Sequence, residues 1–172
     1  MIKFEKVSYN TWRDAYVKNF ELDEQPIGEK FEAYMKELYD SIKLPQRGTK
    51  GSAGHDFYAP YDISIKHGHY ELIPLGIRFV TDRDDVVLLC MPRSGLGFKF
   101  MTRLANTTGV IDSDYQHADN EGHIMLKITS EKDVEIKQGQ GIMQGIIMPY
   151  IITDDDSANA DRTGGFGSTD RR

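Results

Sequence analysis

Two carboxylates, Asp112 and Asp114, bracket Ser113 in the stretch TGVIDSDY at residues 108–115. A carboxylate at the mouth of a strand can be held stiffly and still meet water, as a general base must when it orients an attacking water. Val110 and Ile111 favour a strand, and Asp-Ser-Asp favours a turn. Tyr115 adds a flat face that can pack against a ring or a sugar. The plainer reading is a hairpin turn with surface acids, and this stretch alone does not decide.

Four other groups could share such chemistry. Residues 91–100, MPRSGLGFKF, join a guanidinium (Arg93), a hydroxyl (Ser94), two glycines (Gly95 and Gly97) and Lys99. Backbone N–H groups unobstructed by side chains make a phosphate cradle, and Arg93 can pair with a phosphate or a carboxylate. The spacing is not that of a P-loop, and no helix need follow. Asn106 carries an amide that donates and accepts together, which suits an imide edge such as uracil's and equally suits a turn. Asp56, after Gly54 in GSAGHDFYAP, reads as a loop carboxylate that braces its neighbours or sits in an Asx turn. The C-terminal DRTGGFGSTDRR sets Arg162, Phe166, Gly167, Ser168 and Thr169 among glycines. It reads as a tail, or as a mobile arm that closes over a nucleotide.

These side chains need a scaffold. The chain has 172 residues, 39% hydrophobic and 28% charged, enough for one domain with a core. The net charge of -6 argues against general affinity for nucleic acid. No apolar run approaches the roughly 20 residues of a membrane span, and no secretory signal is visible. The lone Cys90, in VVLLCMP, reads as a buried strand residue, and a cytoplasmic location follows. IKFEKV alternates as a short strand. From Ser8 to about Ile42 the pattern is helical: Ser8 or Asn10 caps, Trp12, Tyr16 and Phe20 recur at spacing four, and Pro26 and Gly28 interrupt. Phe31, Tyr34, Met35, Leu38 and Ile42 then share one helical face. After Pro45, short runs (DISI, YELIPLGIRFV, VVLLCM, HIMLKIT, VEI, GIIMPYII) alternate with Gly, Pro and Asp, which predicts an all-β sandwich or barrel.

In order, GSAGHDFYAP, PRSGLGFK, NTTGVIDSDYQ, GQGIMQGIIMP and RTGGFGST resemble the five motifs of the trimeric dUTPases, over about residues 43–170. The resemblance implies a jelly-roll-like β subunit as one domain over residues 1–172. Residues 10–42 would be a helical insertion and residues 154–172 a mobile arm. It implies dUTP as substrate, a homotrimer with shared active sites, and Mg²⁺ held by the substrate phosphates without a direct protein ligand. Asp112 would be the general base, and Tyr115 would lie under the deoxyribose. Asn106 would bind uracil with backbone groups of Gly109, Val110 and Ile111. Ser94 and Gly95 would hold phosphate, Arg93 would support the interface or the catalytic network, and Gln144 would contact phosphate. Asp56 would brace this network. From the arm, Arg162, Phe166, Gly167, Ser168 and Thr169 would cover the base and bind the phosphates.

The sequence departs from the family pattern in four places. HADNE lengthens the segment between Gln116 and Gly122. The arm motif is one residue short. Gln140 and Gly141 stand where an acid and an arginine are usual. The helices interrupt a normally direct first strand. The same fold includes dCTP deaminases, whose glutamate would fall near Lys127. A different class of reading is a non-catalytic nucleotide-binding or interaction protein that uses the helices for a partner.

Overall fold

The computed structural model describes residues 1–22, 28–160, 162 and 164. Pro26, Phe166, Gly167, Ser168 and Thr169 lie outside the described residues, as does most of the expected arm.

The strands are β1 (Ile2–Lys6), β2 (Gln46–Arg47), β3 (His55–Tyr58), β4 (Ile63–Ile65), β5 (Tyr70–Thr81), β6 (Val86–Pro92), β7 (Arg103–Leu104), β8 (Gly109–Asp112), β9 (His123–Thr129), β10 (Val134–Ile136) and β11 (Gly141–Pro149). All pair antiparallel, in sheets ordered β1-β5-β9-β7, β10-β4 and β2-β3-β11-β6-β8. The core lies between the two larger sheets. Ile73, Leu75, Ile77, Phe79, Ile124, Leu126 and Ile128 of one meet Phe57, Val86, Leu88, Ile111 and Ile142 of the other. This is a jelly-roll-like β-sandwich carrying two helices near its N-terminus. Cys90 is buried in β6, and burial pushes its thiol up to about 12.

The helical stretch is two helices, α1 (Tyr9–Asn19) and α2 (Glu29–Ser41). Ser8 caps α1, its hydroxyl accepting the Thr11 N–H. Trp12 and Val17 are buried from α1, Met35 and Leu38 from α2, with Ile42 just beyond. Tyr34 departs from the expected face. It is half exposed, because Met35, Leu38 and Ile42 define the buried stripe and Tyr34 turns off it.

Helix α1, and Ile42 just beyond α2, dock on a break in β5. Pro74 has no N–H to give the ladder, and the pairing of β5 with β9 shifts between Pro74 and Arg78. The freed Pro74 carbonyl accepts Trp12 Nε1–H at 3.0 Å. Gly76 sits at φ +73, and a Cβ there would lie 2.5 Å from Ile42 Cδ1 and 3.0 Å from Trp12 Cδ1. Only glycine admits both contacts.

Three expectations for local structure change. Asp56 lies in a strand, not a loop: β3 pairs with both β2 and β11, which overrides the local turn signal. Residues 94–100 form a short helix, α3 (Ser94–Phe100), despite two glycines. It is closed by the left-handed Met101, whose N–H donates to the Gly97 carbonyl. β11 begins at Gly141 and ends at Pro149, so residues 150–152 fall outside it. There the Tyr150 N–H turns to the Asp85 carbonyl.

Candidate active site

Asp112 closes β8, opposite Val87 of β6. A 3₁₀ turn over Ser113–His117 follows and carries Asp114 and Tyr115. Arg162 comes down on this corner. Its Nη2 donates to Asp112 Oδ2 at 2.9 Å, and its Nε lies 3.0 Å from Asp114 Oδ1 as a charge contact rather than an aligned hydrogen bond. Its guanidinium stands 5.5 Å from the centre of the Tyr115 ring. Tyr115 is buried, and Asp112 is half exposed. Partial burial raises the Asp112 pKa; Arg162 pulls it down and Asp114 pushes it up. The result is a water-accessible carboxylate more basic than usual.

Asn106 lies in the turn between β7 and β8. Its carbonyl accepts the Thr108 N–H at 2.7 Å, and its amide is exposed near Gly109. Gly109 faces Cys90 so closely that a Cβ would come within 3.1 Å of the cysteine's own. The backbone of Gly109, Val110 and Ile111 therefore runs down from Asn106 to Asp112.

Arg93, Ser94 and Gly95 gather at the other end of β6. The Arg93 carbonyl accepts the N–H groups of Leu96 and Gly97, so the Ser94 and Gly95 N–H groups precede the first bonds of α3. Arg93 Nε lies 3.2 Å from Asp56 Oδ1. Its side chain crosses Gly141, where a Cβ would come within 2.1 Å of Nη1. Arg93 thus occupies space that a side chain at 141 would take. Gln144, opposite Asp56 on β11, donates to the Pro92 carbonyl at 3.4 Å. A cavity of about 530 Å³ opens here, and Lys99 and Gln140 also line it. Among the described residues, no three acidic, His or Cys side chains converge as a metal-ligand set.

These two groups are far apart. Val87, opposite Asp112, and Arg93, just past the end of β6, are six residues apart, or about 20 Å of extended chain. Between them lies an apolar surface. The register aligns Ile146, Leu89 and Val110 in one row across the sheet, with Met148 and Val87 beside Asp112 in the next. Val110 and Met148 are exposed, whereas alternate neighbours such as Leu88 and Ile111 face the core.

The HADNE segment supplies residues that the motifs do not. Asn120 Nδ2 donates to the Tyr115 hydroxyl at 2.8 Å, and Glu121 accepts from Ser8 and Thr11 at the start of α1. The only signal of this in the sequence is that the segment falls just after Tyr115. His123, next to it, is buried, and its Nε2 accepts the Gly76 N–H at 2.8 Å. Burial holds its pKa down to about 4, with Glu121 opposing. The unfolded chain takes up this proton near pH 6.5, so stability is present above that pH and is lost as pH falls toward 4. His123→Gln keeps an acceptor for Gly76. Between pH 6.5 and 4, wild type should lose about 3 kcal/mol more than this variant. Urea unfolding at each pH checks this, and parallel pH profiles would contradict it.

A family model described as dUTPase matches residues 40–170. A deoxyuridine 5'-triphosphate nucleotidohydrolase of Lactococcus lactis is 36% identical over 144 residues, covering 81% of this chain and 95% of that protein. Another, from a gamma-proteobacterium, is 41% identical over 137 residues, covering 74% and 95%. The crystal structure of a Streptococcus mutans dUTPase superposes with a TM-score of 0.59 at 31% identity, covering 67% of this chain and 91% of that one. A dUTPase of Staphylococcus aureus phage phi11, reported with a structural Mg(II) ion, gives a TM-score of 0.59 at 17% identity, covering 72% and 94%. The match runs from the end of α2, through both groups of candidate residues, to residue 170: this chain belongs to the dUTPase family.

Proposed function

We propose that the protein hydrolyses dUTP to dUMP and pyrophosphate, with Asp112 as general base. The observation that carries this reading is the Asp112 corner: a half-exposed carboxylate of raised basicity, beside a buried aromatic ring under a guanidinium. Uracil docks at Asn106 and the backbone of Gly109, Val110 and Ile111. The deoxyribose packs on Tyr115. Asp112 orients a water in line with the α-phosphate and takes its proton as the oxygen–phosphorus bond forms, and pyrophosphate leaves. Arg162 must leave the two acids to reach a phosphate. Its departure removes the charge that lowers the Asp112 pKa, so arm movement and base strength are coupled. The amides of Ser94 and Gly95, with Arg93 and Gln144, hold the outer phosphates.

One chain presents these parts in the wrong order. Along the strands the sequence is Asp112, then Asn106, then the cradle beyond Pro92. A nucleotide runs base, sugar, α-phosphate, outer phosphates. The cradle serving a given Asp112 therefore belongs to a neighbouring subunit. The apolar rows between the two groups support burial against another copy, and a homotrimer is the assembly we infer. Mg²⁺ bound by the triphosphate would supply charge neutralisation without a protein ligand. The buried thiol of Cys90 suits a reducing cytoplasm.

A nucleotide panel with Mg²⁺ tests this reading. We expect dUMP and pyrophosphate from dUTP, and no uridine nucleotide from dCTP. Lys127 stands on the strand where a deaminase glutamate would fall, and its ammonium lies 5.4 Å from the Tyr70 ring centre. Deamination of dCTP, or no turnover of dUTP, would overturn the assignment.

A further inference from the structure

We propose that Asn120 is a positioning residue for Tyr115, and that helix α1 anchors the loop that carries it. This inference rests on Tyr115 being the sugar platform. The Tyr115 hydroxyl is held from two sides: it donates to the His123 carbonyl at 3.0 Å and accepts from Asn120 Nδ2 at 2.8 Å. Asn120 Oδ1 accepts the Gly122 N–H at 3.2 Å. Both ends of the amide are engaged, so it cannot turn without losing a partner. A ring fixed at Cβ and again at its hydroxyl has little freedom to tilt. That tilt sets the clearance above the ring, and so whether a 2′-hydroxyl fits.

The loop itself is tied down from far away. Glu121 sits at φ 61, a conformation that non-glycine residues seldom adopt. Its carboxylate accepts the Ser8 N–H at 2.8 Å and the Ser8 and Thr11 hydroxyls at 2.6 Å each. Such strain persists where surrounding contacts over-determine it. The contacts come from the first turn of α1, more than 100 residues away in sequence. A second route converges on the same ring: Trp12 packs on Gly76, Gly76 bonds His123, and His123 receives the Tyr115 hydroxyl. Helix α1 and the HADNE segment thus act as one frame around Tyr115.

The test compares kcat and KM for dUTP and UTP in wild type, Asn120→Ala, Tyr115→Phe and the double variant. Each single variant should lose about tenfold in preference for dUTP over UTP, the scale of one hydrogen bond. The change should fall on KM more than on kcat, and the double should be no worse than either single. Ser8→Ala with Thr11→Val should shift the preference the same way by a smaller factor; an unchanged preference would detach α1 from the site. If Asn120→Ala lowers the melting temperature but leaves the preference intact, Asn120 is structural only and the inference fails. Tyr115→Ala separates the two readings. If it leaves the preference intact, Tyr115 is not the sugar platform. If it abolishes the preference while Asn120→Ala does not, the platform stands and the positioning role falls.

Discussion

Asp112→Asn should lower kcat for dUTP by about 10²–10⁴-fold, while the nucleotide still binds. The amide has nearly the carboxylate's shape and can still accept a hydrogen bond from Arg162. It cannot take a proton from water. Asp112 is half exposed, so the change leaves no buried charge unpaired and the fold should hold. Pyrophosphate release gives kcat, and equilibrium titration with a non-hydrolysable α,β-imido dUTP gives binding. The wild-type enzyme should also lose activity as pH falls through the Asp112 pKa. Because burial raises that pKa, the acid limb should lie above that of an ordinary aspartate. Asp112→Asn turning over at the wild-type rate would remove Asp112 from its role.

Much of this was legible in the chain, and the exceptions have physical causes. β6 reads directly, because the inward residues Val86, Leu88 and Cys90 alternate with the outward Val87, Leu89 and Met91. The ordered motifs also singled out Asp112 with Arg162 and Asp56 with Arg93, pairs that the structure brings together. Asp56 was misplaced in a loop because strand pairing on both sides decides its conformation, and pairing is not local. α3 was missed because two glycines in seven residues argue against a helix. The roles of Asn120 and Glu121 were invisible: their loop is held by Ser8 and Thr11, and no local pattern announces a partner more than 100 residues away. Two departures from the family pattern, the helices and the HADNE segment, looked separate and proved to touch. The third, Gly141, proved to be the surface that Arg93 crosses. The apolar outer rows depend on the register of three strands, which composition cannot give.

Arg93→Ala should cost about 10²–10³-fold in kcat, the scale of losing one charge-stabilising donor. Its guanidinium lies beside Asp56 in the cavity proposed to receive the outer phosphates. Without it, Asp56 faces the triphosphate as a bare like charge. Arg93 is itself partly exposed, so the loss should appear in turnover before stability. The effect is large, yet it arises about 20 Å from Asp112 in the same chain.

That separation makes the two variants a direct test of a site completed between subunits. Asp112→Asn and Arg93→Ala proteins would be unfolded together in equal amounts, refolded, and assayed for dUTP hydrolysis. If base and cradle come from different subunits, random assembly leaves about a quarter of the sites with both intact. The mixture should then recover about a quarter of wild-type turnover, although each parent is nearly inactive. If one chain supplies both groups to its own site, no intact site can form, and a mixture no more active than its parents would contradict the account.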